Sequence, residues 1–137
     1  MIPVDSPKGY QTYDLVLPDG TNLKAEALIK KQATADTPGE VCLGFYIYID
    51  EDTRTDYGGM EINIPEVVEI KNYQFIVKEI GGFNRFSNMA INLPSQLEII
   101  EEDSFTSMTN FRITIPASVK KIGEDCFTWF IIIKLGI

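Results

Sequence analysis

Residues 91–105 read I-N-L-P-S-Q-L-E-I-I-E-E-D-S-F, and residues 113–127 read I-T-I-P-A-S-V-K-K-I-G-E-D-C-F. Set one above the other, Leu93 falls on Ile115, Pro94 on Pro116, Leu97 on Val119, Ile100 on Ile122 and Phe105 on Phe127, a shift of 22 throughout. A phrase that recurs at such a period marks stacked units, each of which buries its apolar edge against the next. Ile91-Asn92-Leu93 and Ile113-Thr114-Ile115 alternate apolar, polar, apolar, the pattern of a short strand with one buried face. The proline that follows has no N–H for a ladder, so pairing stops and the chain turns. Val119, Ile122 and Phe127 then point back into the interior, and Gly123-Glu124-Asp125 is turn-prone and lies outside. Phe105 and Phe127 should form one interior column, and Ile100 and Ile122 another.

A looser third copy precedes these two. Ile62-Asn63-Ile64-Pro65 repeats the strand and its proline, and Val77-Lys78-Glu79-Ile80-Gly81 repeats Val119 to Gly123. Between them lies a longer excursion with Lys71-Asn72 as a hairpin turn. Phe83 keeps the spacing to the next strand, whereas Phe86 keeps the local pattern up to Met89. The reading assigns the core role to Phe86.

The motif I-T-I-P-x-x-V-x-x-I-G-x-x-x-F resembles the BspA-type leucine-rich repeat, a bacterial variant with isoleucine-proline strands. The stretch I-N-I-P-E-V-V-E-I-K-N-Y-Q-F-I-V-K-E-I-G resembles the irregular first repeat of that family. The likeness covers about residues 60–137, with Glu101 standing where the family prefers glycine and with very few repeats. It implies a secreted or surface-attached protein used for adhesion or recognition, with no cofactor.

The chain has 137 residues, of which 45% are hydrophobic, enough for a packed core and too many for a disordered chain. Its 12 basic and 20 acidic residues leave a net charge of −8, which disfavours nucleic acid and anionic membrane surfaces as partners. The opening Met1-Ile2-Pro3-Val4-Asp5 lacks the basic start and apolar run of a secretory signal. No run is long enough to span a membrane as a helix. Cys42 and Cys126 have no metal-binding spacing; Cys126 reads as a small buried filler.

Before the repeats, residues 1–9 read as an arm. Tyr10 to Leu17 and Leu23 to Lys31 alternate about a Pro18-Asp19-Gly20 turn, so both read as strands of a hairpin, although 23–31 also contains good helix formers. Val41 to Ile49 is the clearest strand outside the repeats. Its Val41, Leu43, Phe45, Ile47 and Ile49 share one face and its Cys42, Gly44, Tyr46 and Tyr48 the other. Residues 10–60 therefore read as a small antiparallel unit that covers one end of the stack.

The sequence contains no histidine, which removes Ser-His and Cys-His nucleophile pairs and imidazole zinc sites. Asp50, Asp52 and Glu61 imitate part of a calcium loop, but Arg54 takes a ligand position and Thr55 replaces the turn glycine. Glu101-Glu102-Asp103 and Glu124-Asp125 are repeat-equivalent and could supply paired carboxylates for glycoside hydrolysis, given a cleft. Alternation places Asn63, Asn92 and Thr114 outward in one row, with Ala90 and Arg112 in the next. That face and the Tyr46 and Tyr48 pair are the candidate partner-binding residues.

The expected architecture is mainly β with minor helical turns: a short leucine-rich repeat solenoid under an N-terminal antiparallel β cap. Its parts are an arm (1–9), the cap (10–60) and about three repeats plus the strand of a fourth (61–137). The expected function is non-catalytic recognition of a protein or glycan at or outside the cell surface. Two alternatives are a structural or assembly module of a larger surface system and, less favoured, a carboxylate glycoside hydrolase. Ile133, Leu135 and Ile137 follow Phe127 at the offsets by which Phe111, Ile113 and Ile115 follow Phe105. They begin a fourth strand whose open edge is an expected homodimer contact.

Overall fold

A computed structural model describes residues 6–45, 55–127 and 132–136, with the backbone alone for 55–57 and 132–136. It contains eleven strands: β1 (Gly9–Val16), β2 (Asn22–Lys31), β3 (Gly39–Phe45), β4 (Thr55–Asn63), β5 (Val67–Ile70), β6 (Tyr73–Gly82), β7 (Phe86–Asn92), β8 (Ile99–Ile100), β9 (Thr109–Pro116), β10 (Lys121–Ile122) and β11 (Ile132–Gly136). They form two sheets. The larger has seven strands in the order β1-β2-β3-β6-β8-β10, with β5 paired to β6; the smaller has four, in the order β11-β9-β7-β4.

This arrangement corrects the expected solenoid with a separate cap. β1, β2 and β3 are antiparallel to one another, but β3 then joins β6 in parallel, Val41 beside Val77 and Leu43 beside Ile80. The N-terminal strands thus share one mixed sheet with β5, β6, β8 and β10, while the strands that precede the repeat prolines, β4, β7 and β9, lie in the smaller sheet. The reason lies in β3, whose Val41, Cys42, Leu43, Gly44 and Phe45 are all buried, so the strand needs a neighbour on each edge and cover on both faces. The expected minor helical turns are corrected too: no described residue is helical.

The 22-residue shift is the register of pairing in the smaller sheet, with Ile91 beside Ile113 and Asn92 beside Thr114. In the larger sheet Ile80, Ile100 and Ile122 lie side by side on β6, β8 and β10. Ile80 and Ile100 are fully buried, but Ile122, expected inside, is 47% exposed. β2 is a strand throughout. The Pro18-Asp19-Gly20 turn closes with Gly20 N–H on Leu17 O and Leu17 N–H on Thr21 O, with Gly20 at φ 87°. Lys71 (φ 51°) and Asn72 (φ 72°) both adopt the left-handed conformation that a tight two-residue hairpin requires.

The inner faces of both sheets pool into a single core. Through it runs a phenylalanine column: Phe45 to Phe83 at 4.5 Å, Phe83 to Phe105 at 5.1 Å and Phe105 to Phe127 at 5.3 Å between ring centres. The last two pairs are parallel within 3° and 4°. The member contributed by the third copy is therefore Phe83, not the expected Phe86, which is buried but meets Phe83 edge-on at 88°. The backbone explains the choice. Phe83, Phe105 and Phe127 have φ of 64°, 58° and 60°, a conformation that bulky L-residues avoid unless held there. Bonds from Phe83 N–H to Phe45 O, Phe105 N–H to Gly82 O and Phe127 N–H to Ser104 O hold it.

Candidate functional site

The outward face of the smaller sheet carries the residues singled out by alternation. Because β7, β9, β11 and β4 from Met60 onward are parallel and in register, equivalent positions line up across the strands. Asn63, Asn92 and Thr114 occupy one row, and Glu61, Ala90 and Arg112 the next. Asn92 Nδ2–H donates to Asn63 Oδ1 at 2.8 Å and to the Glu61 carboxylate. Arg112 is exposed and makes no ion pair among the described residues.

Beside these rows lies a hollow of about 260 Å³ lined by Gly59, Asn88, Met89, Ala90, Asn110, Phe111 and Arg112. Asn110 Nδ2–H donates to Asn88 Oδ1 at 2.7 Å. Both residues sit at positive φ, 59° and 48°, which asparagine tolerates better than most side chains. Sequence reasoning missed this pair, although Asn88 and Asn110 are 22 apart and the repeat alignment places them together. The face therefore offers amide donors and acceptors held by their own bonds and, among the described side chains, the cation of Arg112. Tyr46 and Tyr48 lie outside the described residues, as do Asp50 and Asp52 of the calcium-like loop and Ile137. Ile133 and Leu135 pair in register with Ile113 and Ile115 on β11, the outermost strand of the sheet.

The larger sheet has a different outer face. Cys42 Sγ–H donates to Glu101 Oε1 at 3.1 Å, Cys126 Sγ–H donates to the Glu101 carbonyl at 2.9 Å, and Lys30 Nζ lies 3.8 Å from Glu79 Oε2. Both cysteines are free thiols. Cys42, Glu79 and Glu101 bring three potential ligand atoms within 4.8 Å of one another. Burial, then the bond to Glu101 and the charges of Glu101 and Glu79, push the Cys42 thiol well above its ordinary range, against a smaller opposite pull from Lys30. A thiol held protonated is neither a ready nucleophile nor a thiolate ligand.

Next to it is a cavity of about 860 Å³ whose walls include Glu79, Glu101, Glu102, Asp103, Lys121 and Glu124. Glu101, Glu102, Asp103 and Glu124 are repeat-equivalent carboxylates that the sequence alone could pair only given a cleft. The hollow arises because Glu101-Glu102-Asp103 and Gly123-Glu124 are stacked by the backbone bond from Asp103 N–H to Glu124 O. Glu102, Asp103 and Glu124 remain exposed. Among the described residues no helix is long and apolar enough to cross a membrane. No family model, no curated protein and no solved structure matches this chain.

Proposed function

We propose that the chain is a non-catalytic recognition module that binds a protein or glycan outside the cell through the polar face of its four-stranded sheet. The observation that carries this reading is the ordered row of Asn63, Asn92 and Thr114 beside Arg112, flanked by the Asn88–Asn110 pair. Side chains already fixed by mutual hydrogen bonds lose little freedom when a ligand docks. The resemblance of residues 60–137 to BspA-type repeats supports a location at the cell surface. The absence of histidine and the protonated state of Cys42 weigh against nucleophilic catalysis. Screening against extracellular matrix proteins and glycans, followed by Arg112→Glu, tests the reading. A specific ligand whose affinity falls by roughly ten-fold or more supports it, by the usual cost of breaking a charged contact. Unchanged affinity rules out this face, and turnover of a chromogenic glycoside overturns the non-catalytic assignment.

A second reading, a structural module that assembles through its C-terminal end, is favoured by the outermost position of β11. Under it Leu135→Asp dissociates oligomers and no ligand emerges from the screen.

A further inference from the structure

Among the described residues five strands have a single neighbour, β1, β4, β5, β10 and β11, and they are not equally protected; β5 has only four residues. β10 has two residues. β4 is irregular, its register to β7 shifting between Asp56 and Met60 around Gly58 and Gly59, both at positive φ. Short or bulged edges resist further pairing. β1 has neither device. Its eight residues pair with β2 in unbroken register from Gly9 beside Ile29 to Val16 beside Asn22, and contain no proline, lysine or arginine. Among the described residues the chain just before it does not cover its outer side: Ser6 continues along the end of β2, bonded to Gln32 and to Ala33 N–H.

The turn settles which backbone groups of β1 are spent. Leu17 N–H bonds to Thr21 O, so Leu17 and, by alternation, Leu15, Tyr13 and Gln11 direct their N–H and C=O groups at β2. The groups of Tyr10, Thr12, Asp14 and Val16 therefore face the open side. The side chains of these four share the outer face of the sheet. Tyr10 and Val16, each 67% exposed, are the most exposed large apolar side chains among the described residues. They lie three residues on either side of Tyr13.

We infer that two copies of this chain associate by pairing their β1 strands antiparallel about Tyr13, extending the seven-stranded sheet across a two-fold axis. In this register Tyr10 bonds to the partner's Val16 and Thr12 to the partner's Asp14, and each reciprocally. The residues with open N–H and C=O groups are thus the residues that fall into hydrogen-bonded pairs. The exposed aromatic meets the exposed β-branched side chain, a favourable cross-strand pair. The charges fit as well. Asp14 is the sole charged residue of β1; it sits beside Lys24 on β2 and meets the partner's Thr12 rather than a second acid. On a chain of net charge −8, a pairing that sets no acid opposite another is a selective property. The contact is self-complementary and closes at two copies.

The inference stands apart from the recognition reading and uses an edge other than β11, so its test separates all three. Thr12→Pro and Tyr13→Cys, with Leu135→Asp for comparison, are followed by light scattering at micromolar concentration. Thr12→Pro removes one open-side N–H from an edge strand, where proline is tolerated, and should weaken dimerisation by about ten-fold or more with the monomer fold intact by circular dichroism. Tyr13→Cys, made with Cys42→Ser and Cys126→Ser, places two thiols in a non-hydrogen-bonded pair about 4.5 Å apart between Cα atoms, within disulfide range. It should cross-link into a dimer under mild oxidation. A wild-type monomer at these concentrations overturns the inference. So does a dimer that survives Thr12→Pro and is lost in Leu135→Asp.

Discussion

The segments 91–105 and 113–127 share a pattern but not an environment. In the first, Leu97, Ile100 and Phe105 are fully buried. In the second, Val119 and Phe127 are half-buried and Ile122 is 47% exposed. The difference does not come from the residues, which are equivalent, but from what stands on either side. Phe105 is stacked between Phe83 and Phe127; the described stack ends at Phe127 itself. A repeat position thus acquires its burial from the copy that follows it. Its contribution to stability should scale with that neighbour and not with its own side chain.

Truncating the same ring in both copies should separate the two environments by the largest margin. Phe105→Ala removes a side chain packed on both faces and should cost about 3–5 kcal/mol in urea unfolding. Phe127→Ala removes a half-buried ring and should cost less, about 1–2 kcal/mol, since the transfer and cavity terms both shrink with exposure. Equal losses would show that the end of the column is as well covered as its middle.

Position 101 and its counterpart 123 give the next contrast. A Cβ on Gly123 would lie 2.3 Å from Glu102 N and 2.6 Å from Glu102 Cα, both backbone atoms that cannot step aside. Gly123→Ala should therefore destabilise by about 1–3 kcal/mol, the usual cost of overpacking. At the equivalent place Glu101 carries a full side chain that turns away to accept the Cys42 bond. Glu101→Ala loses the bond from Cys42, a contribution of about 0.5–1.5 kcal/mol. The reverse order would mean that the copies are not superimposable at this turn.

Much of the fold was legible because it is local. Alternation gave β1, β2, β3 and the strands before each proline, and Lys71-Asn72 announced its own hairpin. The union of β3 with β6 was not legible. It depends on Gly82, at φ 91°, letting the chain pass so close to Phe45 that a Cβ would lie 2.6 Å from its carbonyl. No pattern in either strand records that approach. The choice of Phe83 over Phe86 was lost for a related reason: spacing alone is ambiguous, and a left-handed backbone at a phenylalanine leaves no compositional trace. On the polar sheet face the rows were readable from period-2 alternation. The Asn88–Asn110 pair was within reach of the same alignment, whereas the cavity beside Glu101 joins residues from separate strands and loops and had no signal in any one of them.

Ser104 and Cys126 occupy matching positions in the two copies. Cys126 donates its thiol to the Glu101 carbonyl, but the fully buried Ser104 hydroxyl has no partner among the described residues. An unmatched buried hydroxyl is a liability, so Ser104→Ala should leave stability unchanged or raise it by up to about 1 kcal/mol. A loss larger than that in thermal unfolding would reveal a bond that the side chain makes in solution.

The smallest effect concerns the turns after the prolines. Glu66, Ser95 and Ala117 each follow the strand proline of their copy. Glu66 accepts hydrogen bonds from Ser95 N–H at 2.6 Å and Ser95 Oγ–H at 3.0 Å, tying the first turn to the second. Ala117 has no side-chain polar group with which to continue the tie. The backbone bond, then the hydroxyl bond, hold the Glu66 carboxyl below its ordinary value of 4.5. A depressed folded pKa gives stability that is complete above the unfolded carboxylate range and disappears as pH falls through the folded value. The contribution is small because the group is largely exposed and screened. Titrating stability downward from pH 6 should therefore show a shallow loss beginning near pH 4.5 that Glu66→Gln flattens. Ala117→Glu tests the other side of the comparison. It adds an acid to a turn that offers it no described donor, so it should not reproduce the effect, and an identical acid-sensitive step in that variant would show that the two seams are equivalent after all.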